Sequence, residues 1–194
     1  MSELTNGRPL TRQGPLDGRV LDGPGVCLTG LPSAAAFNLR ADPAADAIDA
    51  ALKDWLGAPR PLVPNTQSNG ARGRILWLGP DEWLVVMPDP ADSATETNLR
   101  GLLPEEARLC AVGDGLAKVA VEGGAGRWLL AAGCPLDPSS PALGEGGCAQ
   151  TRLAHASVII VPESAERLLV YVRRSMARYL WTWLETAVTR LEGH

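Results

Sequence analysis

Histidine and lysine are scarce in this chain, and their scarcity closes several routes at once. Of 194 residues only two are histidine, His155 and the terminal His194, and only two of the eighteen basic residues are lysine, Lys53 and Lys118. The four cysteines, Cys27, Cys110, Cys134 and Cys148, contain no Cys-x-x-Cys pair, so no zinc site of the usual paired spacing can be drawn. Neither lysine closes a Walker-type glycine loop, and the Gly-x-Ser-x-Gly signal of many hydrolases is absent. No apolar run approaches the ~20 residues a membrane-spanning helix requires. Met1 to Leu10 lacks the basic-then-apolar pattern of a secretory leader. The cytoplasm is therefore the expected compartment, and there four thiols are expected to stay reduced. Cys134 and Cys148 bracket one loop, and only geometry decides whether they meet. Concentrated positive charge is missing too: 18 Lys and Arg against 22 Asp and Glu leave a net charge of -4. That balance argues against a nucleic-acid surface, which depends on clustered cations to hold phosphate.

What remains is an ordinary globular composition, 45% hydrophobic and 21% charged, enough for one domain with a substantial core. Sixteen arginines do nearly all the basic work. Arginine suits protein interfaces through its planar, weakly hydrated fork, although a genome rich in Arg, Ala, Gly and Pro codons gives the same excess. Residues 1–30 are rich in Gly, Pro and polar groups, as in Asp22-Gly23-Pro24-Gly25, and read as an extended arm. Residues 31–194 read as a single α+β domain.

Within that domain one order of elements occurs twice. Ala36-Phe37-Asn38-Leu39-Arg40 predicts a strand. Asp42 and Pro43 then suit the start of a helix whose apolar face is Ala47, Ile48, Ala51, Leu52, Trp55 and Leu56, with Gly57 as its stop. Arg74-Ile75-Leu76-Trp77-Leu78 and Trp83-Leu84-Val85-Val86-Met87 flank a turn and predict a hairpin, followed by a more polar helix over 93–103. The second half has a strand at 117–121, a short helix around Trp128 and Leu129, a strand pair at 157–161 and 168–172, and a helix over 175–191. Matching elements lie about 80 residues apart. Two β-α-β-β-α units at that offset suggest internal duplication, and neither has enough strands to bury its helices alone.

Candidate chemistry is thin. Gly124-Ala125-Gly126 opens like a dinucleotide fingerprint, but Leu129 stands where the third glycine is needed for close pyrophosphate approach. His155 is the only internal histidine, with no base or nucleophile placed beside it by spacing. Glu105-Glu106 reads as solvated charge. In the last helix Met176, Leu180, Trp183, Leu184, Ala187 and Leu191 form an apolar stripe at about 100° per residue, and Trp181 lies roughly 110° from its centre. Flanked by Arg174 and Arg178, Trp181 has the composition of a partner-interface anchor, unless a neighbouring loop covers it.

The block Gly73-Arg74-Ile75-Leu76-Trp77-Leu78-Gly79-Pro80-Asp81-Glu82-Trp83-Leu84 resembles a hairpin of the gamma subunit family of heterotetrameric sarcosine oxidases. Gly133-Cys134-Pro135-Leu136-Asp137 with Cys148-Ala149-Gln150-Thr151-Arg152-Leu153-Ala154-His155 resembles that family's second block. Tyr171-Val172-Arg173-Arg174-Ser175 with Tyr179-Leu180-Trp181-Thr182-Trp183-Leu184 resembles its third, and the similarity runs from about Phe37 to the end. The resemblance implies a fold related to the folate-binding domain of aminomethyltransferases. The catalytic aspartate pair of that wider family has no match in Leu153-Ala154-His155-Ala156-Ser157-Val158. It further implies a non-catalytic structural subunit beside a large alpha subunit, in an assembly that carries FAD, FMN and NAD. Such an assembly oxidises sarcosine to glycine with release of hydrogen peroxide and passes a one-carbon unit to tetrahydrofolate. No catalytic, cofactor-binding or metal residue is carried over to this chain. The alternative is a stand-alone folate-binding aminomethyltransferase-like protein, which would need a deep pocket with a carboxylate inside.

Overall fold

The computed structural model describes residues 13–88 and 93–191. Two antiparallel sheets lie face to face, each carrying helices on its outer side. The first strands are β1 (Val20–Gly23) and β2 (Val26–Leu31), followed by β3 (Ala36–Arg40) and helix α1 (Asp46–Leu56). Then come β4 (Gln67–Gly70), β5 (Gly73–Gly79), β6 (Glu82–Val86), α2 (Ser93–Leu102) and β7 (Arg108–Ala111). The second half runs β8 (Leu116–Glu122), α3 (Gly126–Ala131), β9 (Ala149–Leu153), β10 (Ala156–Ser164), β11 (Arg167–Arg173) and α4 (Ala177–Leu191). The fold is α+β, and each strand pair and helix expected from periodicity is present.

Residues 20–31 correct the expectation of an extended arm. β2 alternates buried and half-buried residues and pairs with β8, Leu28 opposite Val121. β1 folds back on β2 through the glycine-rich turn that made the segment look irregular. The Leu16 side chain is buried as well, and a Cβ at Gly30 would collide with the Leu16 carbonyl. Residues 1–12 of the proposed arm lie outside the described residues.

One sheet runs β1-β2-β8-β11-β10-β9 and the other β4-β5-β6-β3-β7. Apart from β1, the two have the same order, with β9, β10, β11 and β8 in the places of β4, β5, β6 and β3. The fifth place is filled by β2, from the start of the chain, pairing with β8, and by β7, from its middle, pairing with β3. The sheet β4-β5-β6-β3-β7 is thus drawn from one continuous stretch, residues 36–111, whereas the other takes β1 and β2 from before that stretch and the rest from after it.

Three apolar clusters follow from this layering. Ile48, Leu52 and Leu56 of α1 pack with Phe37, Ile75 and Trp83. Leu180, Trp181 and Leu184 of α4 pack with Val119, Ile160 and Val170. Leu76, Val86, Val161 and Leu169 join the sheets between them. Alternation along each strand, with residues sent to opposite faces, lets one strand serve both a helix side and the sheet-to-sheet side. Helix α1 ends as expected at Gly57, whose φ of +93° suits the left-handed cap. Its start does not match: the Asp42 carboxylate accepts the Ala44 amide at 2.9 Å within a preceding turn, and the helix begins at Asp46 without a side-chain cap. Proline at 43 favours that turn equally well.

Candidate functional site

The gap between the sheets opens into two clefts. The larger, about 660 Å³, is lined by Asn38, Arg40 and Glu82 from one sheet and Gln150, Ser157 and Arg173 from the other. The Gln150 side-chain amide crosses it to the Leu78 carbonyl at 2.6 Å. Among the described residues Glu82 is the one carboxylate in its lining, and both its oxygens are engaged. Asn38 Nδ2 donates to Oε1 at 2.7 Å and Arg40 Nη2 to Oε2 at 2.7 Å. A general acid or base must reach the proton it moves, whereas this carboxylate is spent on bracing β3 against β6.

The smaller cleft, about 320 Å³, shares Tyr171 with the larger one and contains Arg74, Lys118, Glu163 and Arg167. Burial tends to raise the Glu163 carboxyl, but hydrogen bonds from Arg167 and Arg74 outweigh it and hold the group below its ordinary value. Burial pushes the Tyr171 phenol up to about 12. Burial likewise lowers Lys118, and the Arg74 charge adds to that effect.

The residues singled out in sequence do not converge on either cleft. His155 is exposed at the β9–β10 turn, where its backbone amide donates to the Tyr179 hydroxyl at 3.3 Å. The Gly124-Ala125-Gly126 turn uses its amides internally, Ala125 donating to the Gly25 carbonyl at 3.0 Å and Gly126 to that of Gly123 at 3.0 Å. It therefore does not fit a pyrophosphate, which needs those donors free. No group of His, Cys, Asp and Glu among the described residues is arranged to hold a metal ion. All four cysteines are free thiols. Cys134 lies against Thr151 Oγ1 at 3.7 Å, while Cys148 donates to the Thr66 and Trp77 carbonyls at 3.2 and 3.5 Å.

The tryptophans on α4 are the clearest correction. Trp181 is 2% exposed and belongs to the core, with its Nε1 donating to Glu185 Oε1 at 2.6 Å. Trp183 is only half-buried, its ring against Gly133. The inward face is Ala177, Leu180, Trp181, Leu184, Ala187 and Val188. Ala177 and Val188 rotate the stripe toward Trp181, and they were left out of the sequence-based stripe. Arg178 is exposed, and Arg174 donates to the Gln13 carbonyl at 3.2 Å. Among the described residues the most exposed large aromatic is Trp128 on α3, 70% exposed.

Comparison with known proteins decides the family. The model of the sarcosine oxidase, gamma subunit family matches residues 40–190. The chain belongs to that family. Sarcosine oxidase subunit gamma of Arthrobacter sp is 28% identical over 165 residues, covering 84% of this chain and 80% of that protein. The subunit gamma of Corynebacterium sp. (strain P-1) is 26% identical over 141 residues, covering 72% of this chain and 69% of that protein. In structure, a chain of heterotetrameric sarcosine oxidase from Corynebacterium sp. U-96 superposes with a TM-score of 0.78 at 24% identity, over 88% of this chain and 87% of that one. Glycine cleavage system aminomethyltransferase T from Bartonella henselae shares the fold at TM-score 0.61 and 13% identity, over 82% of this chain and 45% of that one.

The blocks that resemble the gamma subunit family can now be placed. The first is the β5–β6 hairpin, with Leu76 and Leu84 between the sheets and Ile75 and Trp83 against α1. The second reaches β9 and its turn into β10, where Ala154 has a φ of +52°. The third runs from β11 into α4. All three are sheet-forming or core-forming segments of this gamma-family chain, which explains why they are informative about fold.

Proposed function

We propose that this chain is a structural subunit of a heterotetrameric sarcosine oxidase, docking chiefly on the large alpha subunit and supplying surface rather than chemistry. The observation that carries the reading is the gamma-family match, which spans both sheets of the fold. The committed state of Glu82 and the occupied amides of Gly123, Ala125 and Gly126 support it, because this carboxylate and this turn are spent on holding the fold. Flavin, nicotinamide and folate sites then belong to the other subunits. Trp128 takes over the anchoring role first given to Trp181, since interface energy concentrates in a few exposed Trp and Arg residues. The cytoplasm is the compartment in which the assembly works.

The test is co-expression with the neighbouring oxidase subunits and purification through a tag on this chain. Recovery of the large subunit in a stoichiometric complex with sarcosine-dependent peroxide formation is expected. Recovery of this chain alone, with no effect of its omission on the remaining oxidase, would overturn the assignment. The open 660 Å³ cleft favours one second reading, a stand-alone folate-binding protein. Tetrahydrofolate would then raise the melting temperature of the isolated chain saturably, because a ligand selective for the native state stabilises it.

A further inference from the structure

Among the described residues the smaller cleft holds a positive charge that no paired carboxylate answers. β8 and β11 pair so that Lys118 lies opposite Tyr171, and both side chains line the cleft with Arg74 and Arg167. The two guanidiniums are answered by carboxylates. Arg167 Nε donates to Glu163 at 2.7 Å, and its Nη1 pairs with Glu122, while Arg74 pairs with Glu163 from the other sheet. Among the described residues Lys118 is the third cation against two carboxylates. Among the described residues its ammonium makes no hydrogen bond and no close ion pair, and the Tyr171 hydroxyl likewise has no hydrogen-bond partner. Glu163 acts on Lys118 only as a more distant charge.

A partly buried ammonium without a counter-charge is costly, and a group of three cations with two anions favours one more negative charge. The site is concave: Leu31, Val86 and Leu169 wall it from both sheets. At roughly 30 Å³ per water, a cavity of this size has room for about ten waters, or for a small molecule with an anionic head. Arginine carries five N–H donors, and Arg74 spends one of them on Glu163. We propose that this cleft binds a small oxyanion, a carboxylate or phosphate group, seated on the Lys118 ammonium and the Tyr171 hydroxyl with Arg74 beside them. The site adjoins the larger cleft at Tyr171 and does not depend on the assignment to an oxidase assembly.

Inorganic phosphate and acetate serve as separate probes on the full chain, titrated at constant ionic strength and followed by amide chemical shifts and by melting temperature. Excluded anions also stabilise proteins without binding them, so each curve is compared with that of Lys118→Met, whose side chain keeps the apolar stem. One probe is expected to give saturable shifts at residues around Lys118 and Tyr171, and the probe that does so identifies the head group. Lys118→Met is expected to lower that affinity at least tenfold and Lys118→Arg to retain it, while Tyr171→Phe lowers it several-fold. Linear, non-saturating responses to both probes would overturn the proposal, as would equal affinities for wild type and Lys118→Met. Should Lys118→Met fail to fold, Lys118→Gln and Tyr171→Phe provide the same comparison.

Discussion

The Arg60 guanidinium lies 4.6 Å from the centre of the Trp83 ring, in a setting where Arg60 is only 3% exposed. Its Nε donates to Asp49 Oδ1 at 2.8 Å and its Nη2 to Asp49 Oδ2 at 3.2 Å, while the Asp42 and Ala45 carbonyls accept further bonds at 3.0 Å. Trp83 Nε1 in turn donates to the Pro61 carbonyl at 2.8 Å. One cation thus ties the start of α1, the chain after it and the core face of β6 together. Arginine suits the position because its planar fork can stack and bond at the same time.

Removing one member of that pair leaves a buried charge unanswered, which is the costly case. Asp49→Ala is expected to destabilise the chain by about 3–5 kcal/mol, and Arg60→Met by less, because its stem and ring contact are partly kept. The double variant should lose less than the sum of the two. Urea unfolding of all three forms checks this, and strict additivity would show that the pair is uncoupled.

Trp181→Ala should create a core cavity and cost about 3–5 kcal/mol of folding stability. Trp128→Ala should melt close to wild type, because its ring is 70% exposed, and on the proposed docking role should co-purify poorly with the large subunit. Paired melts and pull-downs separate the two. A Trp128→Ala chain that assembles normally would remove α3 from the interface.

Leu28 is fully buried on β2 against β8. Leu28→Ala is expected to cost about 2–5 kcal/mol, measured by urea denaturation. A cost near zero would mean that residues 20–31 do fold back as a dispensable arm.

The Cys148 thiol is pushed by burial from 9.0 up to about 11. A raised value means the native state keeps its proton after the unfolded chain has lost it. The associated stability is therefore fully present below pH 9.0 and is lost as pH climbs toward about 11. Cys148→Ala should flatten the decline between pH 9.0 and 10.0, before Tyr171 begins to contribute in the same sense on its way to about 12. Unfolding free energies at half-unit pH steps test this, and identical slopes in wild type and Cys148→Ala would contradict it. In the native protein at neutral pH, a thiol reagent should label exposed Cys110 readily and Cys148 hardly at all.

Local pattern determined much of this protein. The runs at 74–78, 83–87, 157–161 and 168–172 have strand periodicity and chemistry, and α1 has the 3.6-residue spacing that buries Ile48, Leu52 and Leu56. Such elements are legible because the same residues that favour the local conformation also form the buried face. The family blocks were legible for a similar reason, since they are segments whose packing constrains nearly every residue. Tertiary structure alone decided the rest. β1, β4, β7 and β9 are short or polar strands at the sheet edges, each bonded to one neighbour, so their own residues carry no strong period. β2 pairs with β8 and β7 with β3, pairings set by chain path and not by either segment. The α4 stripe could be drawn through Trp181 or Trp183 within the width of an apolar face, and packing against β1 and β11 chose Trp181. The two clefts join residues far apart in the sequence, such as Arg74 with Glu163 and Lys118 with Tyr171. Charge balance in a cavity is a property of three-dimensional neighbours, which no spacing along the sequence encodes.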